Sequence, residues 1–274
     1  MSLILVATDF SKNCSKVLNK AIFLAKQKDF KLKVVHVVED GIFDFHDHTE
    51  KIKFNCMKFL TDNFPEIDLK DFYLRVGSIE DEISKLVSEL EPELLVIGAS
   101  GENFNFEKLI MGSTTKKIIR SLEVPTLVIK NENKIDYKNI LMPTDFSDEC
   151  RYAVRNTIKL FSESKIKLLH VYSVPFKSRL SLYGLDNEHA ESFVSGVEER
   201  NYKEGNVFIE SMGEYKSRLK LKIENDVLTV EHFEEDSDWL NGIDLISIHT
   251  TGNISFFTFD MLEKSTTDVL IFKK

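Results

Sequence analysis

The tetrapeptide Thr8-Asp9-Phe10-Ser11 returns as Thr144-Asp145-Phe146-Ser147, 136 residues further on. Each copy follows an apolar run, Leu3 to Ala7 in one case and Ile140 to Pro143 in the other. Each precedes a helical pattern with its apolar face at spacing 0, 3, 4, 7: Leu18, Ala21, Ile22 and Ala25, then Val154, Thr157, Ile158 and Phe161. The second set sits at the same offset of 136, so the register has not slipped. A repeat of this kind constrains the chain to two copies of one folding unit.

The correspondence runs on down the chain. Lys31-Leu-Lys-Val-Val-His36-Val37 matches Lys165-Ile-Lys-Leu-Leu-His170-Val171, and Asp71 to Val76 is read against Asp226 to Glu231 as a third strand. Glu93 to Ile97 matches Asp244 to Ile248, and Thr126 to Lys130 matches Val269 to Lys273. Residues 131–138 are polar and charged and read as the linker. Domains are therefore expected at 1–133 and 134–274. Each reads as five strands alternating with four helices, with Ser78 to Asp81 a capping box for the third helix. Apolar strands alternating with amphipathic helices give an α/β fold, a mostly parallel five-stranded sheet with helices on both faces. The two last strands should each lie at a sheet edge, and exposed apolar edges are usually covered.

Composition excludes several function classes. A formal net charge of -9 argues against a broad electrostatic hold on nucleic acid or anionic membrane. The apolar run at Leu3 to Ala7 is too short for a signal peptide, and no stretch approaches a membrane span. Cys14, Cys56 and Cys150 form no CxxC pair and read as packing residues in a reducing, cytoplasmic protein. No metal site is expected. His46-Asp47-His48, with Asp44 and Glu50, reads as a solvated loop, because neighbours at this spacing rarely face one ion on a helix.

Ligands of open parallel sheets bind beyond the strands' carboxyl ends, where the strand order reverses. There the first copy offers Thr8, Asp9 and Ser11 after its first strand and Gly98-Ala-Ser-Gly101 after its fourth. Gly112-Ser113-Thr114 then opens its last helix. Glycines admit an anion close to backbone amides, and a helix N-terminus adds unpaired N–H groups. This is phosphate-cradle chemistry, although the same glycines also suit tight turns and Ser113 also suits a helix cap. Lys116 follows the hydroxyls rather than preceding them, which excludes a Walker loop, and Ala-Thr-Asp-Phe-Ser stands where a dinucleotide fold needs GxGxxG.

With these residues in view, both halves of the chain resemble the universal stress protein family in tandem form. That family's first strand ends Pro-Thr-Asp-x-Ser, its second carries His-Val, and its phosphate loop reads GxxG, nine residues, Gly-Ser/Thr. This chain has Ala7 for the proline and ten residues between Gly101 and Gly112. The resemblance implies two Rossmann-like (adenine nucleotide alpha hydrolase-like) domains and an adenine nucleotide in the first. It places Ala7, Thr8 and Asp9 at the adenine with Val37, and Ile97 against the nucleoside. Gly98 and Gly101 border ribose and phosphates, and Gly112, Ser113 and Thr114 hold the phosphate chain. The ligand implied is ATP, with or without Mg2+, AMP and ADP being alternatives. The last strands are implied to pair antiparallel, making the tandem an intramolecular pseudo-dimer, with homodimerisation through other faces left open.

The second copy departs from this pattern. Gly252 to Lys273 spans 21 residues where Gly101 to Lys130 spans 29, His249 replaces Gly98, and no glycine follows Gly252. Phe256, Phe257 and Phe259 stand where the cradle belongs and are expected to pack instead. Asp145 reads as part of a helix cap, and His249 as a packed or solvated histidine. Between its second and third strands the copy gains a loop at Pro175 to Glu188 and a long polar helix from about Glu191. His36 and His170 read as structural. The sequence supports a nucleotide-binding regulatory protein acting on an unidentified protein partner, against a nucleotide-free interaction scaffold. A slow ATPase ranks behind both, for want of a general base.

Overall fold

The computed structural model describes residues 2–39, 48–99, 113–131, 136–175, 179, 182–184, 186–227, 229, 239–250 and 256–273, with backbone only for 113–114 and 256–259. The chain packs as two compact units, residues 1–136 with 250–274, and residues 137–249. The last helix and strand of the second repeat thus belong to the first unit.

In that first unit the strands are β1 (Leu3–Ala7), β2 (Lys31–Val38), β3 (Phe72–Val76), β4 (Leu94–Gly98), β5 (Thr126–Ile129) and β10 (Asp268–Lys273). They lie in the order β3-β2-β1-β4-β5-β10. The first five are parallel, in registers such as Ala7↔Val35, Val6↔Val96 and Ile97↔Val128. β10 joins β5 antiparallel through Val269↔Val128, Leu270↔Leu127 and Ile271↔Thr126, so the two final strands of the repeats do pair. Helix α1 (Cys14–Lys28) packs across β1, β2, β4 and β5. Its 0, 3, 4, 7 face (Leu18, Ala21, Ile22, Ala25) is buried, each large aliphatic side chain contributing about 1.5–3 kcal/mol. The remaining helices are α2 (Thr49–Asn63), α3 (Ile79–Leu90), α4 (Ser113–Ser121) and α7 (Phe256–Lys264). Ser78 caps α3 by accepting from the Asp81 amide, as the capping pattern predicts.

One buried ion pair anchors β10. Lys20 of α1 and Asp268 each expose 1% of their side chains and meet at 3.0 Å. Asp268 Oδ1 also accepts from the Lys130 and Asn131 amides, at 2.6 and 3.1 Å. Such a pair gains little net energy over an apolar one, but losing one partner strands a buried charge.

The second unit contains β6 (Asn139–Pro143), β7 (Lys165–Tyr172), β8 (Leu219–Asn225) and β9 (Leu245–Thr250, of which Thr250 belongs to the first unit). Their order is β9-β6-β7-β8, all parallel. Its helices are α5 (Asp148–Leu160) and α6 (Asn187–Ser211). Two expectations are corrected here. The third strand of the repeat is Leu219–Asn225, not 226–231: Leu219, Leu221 and Ile223 alternate along it and set the register Ile166↔Leu219 to Tyr172↔Asn225. Its helix begins at Asn187, capped by Asp186, and runs 25 residues where α2 has 15. Gly205 lets α6 approach the sheet, since a Cβ there would come within 2.7 Å of Leu221. The third helix expected in this repeat falls between β8 and β9, where residues 228 and 230–238 lie outside the described set. Within the linker, Tyr137 is buried and meets the Phe161 ring edge-on at 5.1 Å.

Candidate functional site

In the first unit β1 carries β2 on one side and β4 on the other, so the strand order reverses between β1 and β4. The carboxyl end of β1 turns sharply there. The Thr8 amide still bonds to Val35, and Thr8 Oγ1 accepts from Phe10 N at 3.2 Å. Asp9 Oδ1 accepts from Ser11 N at 3.0 Å. Phe10 sits at φ 54°, a conformation a bulky side chain adopts only under constraint. His36 supplies part of that constraint: its Nδ1 donates to Thr8 O at 2.8 Å, and its ring meets Phe10 edge-on at 5.1 Å. Burial lowers the His36 pKa from its ordinary 6.5, outweighing the bond to Thr8 O, which raises it. The turn holds Asp9 exposed at the switch point, with Ala7 half-buried beneath it.

Across the cleft, β4 ends in buried Ile97 and half-buried Gly98, and the register sets Ile97 one step beyond the Val6↔Val96 pair. Val37, half-buried on β2, lies two residues past the partner of Ala7. Helix α4 starts at Ser113 and Thr114, and in its first turn Thr115 Oγ1 donates to Gly98 O at 3.2 Å. The helix N-terminus, with its unpaired amides and positive dipole end, is thereby tied to the end of β4. Lys116 is engaged by Glu263 of α7. Ala7, Thr8, Asp9, Ile97, Gly98 and the start of α4 thus lie at the carboxyl ends of β1 and β4, while Gly101 and Gly112 lie outside the described residues, as do Asp44, His46 and Asp47.

The second unit repeats the turn but changes what faces it. Phe146 sits at φ 61°, Thr144 Oγ1 accepts from its amide at 3.1 Å, and His170 Nδ1 donates to Thr144 O at 2.7 Å. Its Phe146 ring stacks on His170 at 4.2 Å, and His170 also reaches Asn201 of α6 at 2.8 Å. Asp145 accepts from the Ser147 amide, and Ser147 in turn caps α5. Opposite stands His249, whose side chain is 12% exposed, with Nε2 3.3 Å from Asp145 Oδ1. Burial works against charge on both groups, yet their mutual hydrogen bond wins. His249 is pushed up to about 10, with Cys150 assisting, and Asp145 is held well below the usual carboxylate range, with Ser147 assisting. Cys150, fully buried in the first turns of α5, completes the group: donor atoms of Asp145, Cys150 and His249 all lie within 4.8 Å of one another. Sequence reasoning reads these residues separately as cap, packing residue and strand end. They share no local motif, and only the parallel order of β6 and β9 unites them.

The fold and its switch point define a tandem doubly wound α/β protein. The profile of the universal stress protein family matches residues 1–51, 62–130 and 136–248, and the chain belongs to that family. A Staphylococcus aureus (strain USA300) protein described as a universal stress protein is 29% identical over 158 residues, covering 53% of this chain and 89% of that one. The crystal structure of a universal stress protein from Archaeoglobus fulgidus DSM 4304 superposes with a TM-score of 0.66 at 16% identity, covering 99% of this chain and 98% of its own. A Pseudomonas aeruginosa PAO1 protein of unknown function gives 0.66 at 14% identity, covering 100% and 92%. A universal stress protein crystallised in complex with cAMP matches 47% of this chain and 96% of its own, at 19% identity and a TM-score of 0.37. Among the described residues no helix is long and apolar enough to cross a membrane.

Proposed function

We propose that the first repeat binds ATP and that its occupancy regulates an interaction with a protein partner, the second repeat binding no nucleotide. The observation that carries this reading is the tie between Thr115 and Gly98, which sets the N-terminus of α4 at the switch point beside Asp9. An apolar floor (Ala7, Val37, Ile97) meets a carboxylate at one end and unpaired helix amides at the other, which suits a purine joined to a phosphate chain. Asp9 would face the base, Gly98 and Gly101 the ribose and phosphates, and Gly112, Ser113 and Thr114 the phosphate chain, taken with or without Mg2+. AMP and ADP share this chemistry at shorter length. Among the described residues no base is aligned for hydrolysis at this site, and turnover is expected to be weak at most.

Calorimetric titration of the full chain with ATP should give a stoichiometry near one. Gly112→Val should abolish the heat by blocking backbone approach to phosphate while the fold persists by circular dichroism. Two sites, no heat at micromolar protein, or a Gly112→Val variant that binds like the parent would overturn the reading, the second outcome favouring a nucleotide-free scaffold.

A further inference from the structure

We propose that Asp145, Cys150 and His249 form a binding site for a thiophilic divalent cation of the zinc class, at the switch point of the second unit. Three chemically different donors, a carboxylate oxygen, a thiol sulfur and an imidazole nitrogen, come from the turn after β6, from α5 and from β9, and gather within 4.8 Å. The 3.3 Å between His249 Nε2 and Asp145 Oδ1 is close to the spacing of two ligands on one tetrahedral ion, about 3.4 Å for bonds of about 2.0–2.2 Å.

Without a cation the thiol is only weakly satisfied: Cys150 Sγ has Thr144 Oγ1 at 3.1 Å and Pro143 O at 4.0 Å, weak partners for a weak donor. One cation would take the place of the protons on the imidazole and the thiol and bring all three donors to a single centre. Sulfur and imidazole together select a zinc-class ion over magnesium or calcium, which prefer oxygen. Asp145, with 63% of its side chain exposed, stands on the solvent side, so an ion can enter past it. Three protein donors leave a fourth position for water, as in open zinc sites.

The first repeat supplies an internal contrast. Asp9 and Cys14 hold the positions of Asp145 and Cys150, but Gly98 stands at that of His249, so the third donor is missing there. The proposal is independent of whether the first repeat binds nucleotide.

The test is titration of the purified full chain, stripped with chelator and reduced, with Co2+ as a spectroscopic probe and then with Zn2+. One equivalent should produce a thiolate-to-cobalt charge-transfer band that Zn2+ displaces. Cys150→Ser, nearly isosteric, should remove the band, while Cys14→Ser and Cys56→Ser keep it. His249→Gly, which installs the residue of the first repeat, should weaken binding at least about tenfold, no less than the loss of a merely supporting residue. Absence of the band in the parent chain means an ion pair only and overturns the site. A band that survives Cys150→Ser, or unchanged affinity in His249→Gly, overturns it equally.

Discussion

The two switch points start from one sequence, Thr-Asp-Phe-Ser, and from one turn, with a left-handed phenylalanine braced by a strand-two histidine. They end differently because of the residue across the cleft. Gly98 leaves the first cleft without a side chain at that point, and Asp9 remains exposed above it. In the second, His249 reaches across to Asp145 and brings Cys150 into the same group. Burial pushes the Cys14 thiol up, and the Asp9 carboxylate adds to that. A single position thus separates the two switch points: a glycine in the first, a histidine within a polar cluster in the second. The asymmetry extends to the last strands. Lys20 pairs with Asp268, whereas the matching positions of the other repeat hold Asn156 and Pro125 and cannot form the pair.

The comparison can be broken in four ways. The largest effect belongs to the buried pair: Asp268→Ala should cost about 3–5 kcal/mol in urea denaturation, because Lys20 is left charged in an apolar setting. The double variant Lys20→Met/Asp268→Val should recover much of that loss. If both variants unfold like the parent chain, the pair does not anchor β10. Next comes Gly98→His, which gives the first cleft the residue of the second. On the nucleotide reading it should weaken ATP at least about tenfold, or 1.4 kcal/mol, by calorimetry. An unchanged affinity would separate Gly98 from the ligand.

In the reverse direction, His249→Gly in metal-free protein should cost about 1 kcal/mol or less, since Asp145 is largely exposed and solvent screens the pair. A loss several times larger would mean that His249 is a core packing residue rather than half of an ion pair. The smallest effect is a slope with pH. As pH falls below 6.5, the unfolded chain takes up a proton at His36 that the folded chain refuses, so stability declines toward acid. The decline should level off once pH passes the lowered folded value, and His36→Gln should flatten it. Denaturation curves of both proteins at several pH values give the answer.

Much of the fold was legible because buried parallel strands and amphipathic helices leave strong periodic signals, and repetition doubles each one. The α1 face at Leu18, Ala21, Ile22 and Ala25 and its counterpart at Val154, Thr157, Ile158 and Phe161 are all buried. The third strand of the second repeat starts seven residues before the position its pattern suggests. Matching Asp226 to Asp71 followed one shared letter, while the half-buried alternation of Leu219, Leu221 and Ile223 lies nearer α6. Tyr137 went unseen because a lone aromatic among charges gives no period, although it packs on Phe161. At the site, Asp9 and Gly98 were legible from strand ends. The Asp145–Cys150–His249 group was not, since its members are separated by up to about a hundred residues and meet only through strand order.

The antiparallel join of β5 and β10 also sets a clock on synthesis. Lys130 and its partner Asp268 are 138 residues apart, and translation at about 5–20 residues per second takes roughly 7–30 s to cover that distance. For that interval β5 is a nascent edge with no strand on its outer side, and Leu127 to Ile129, fully buried in the finished protein, await a cover still to be made. Ribosome-bound chains that stop short of β10 therefore carry an apolar strand edge that the finished protein covers.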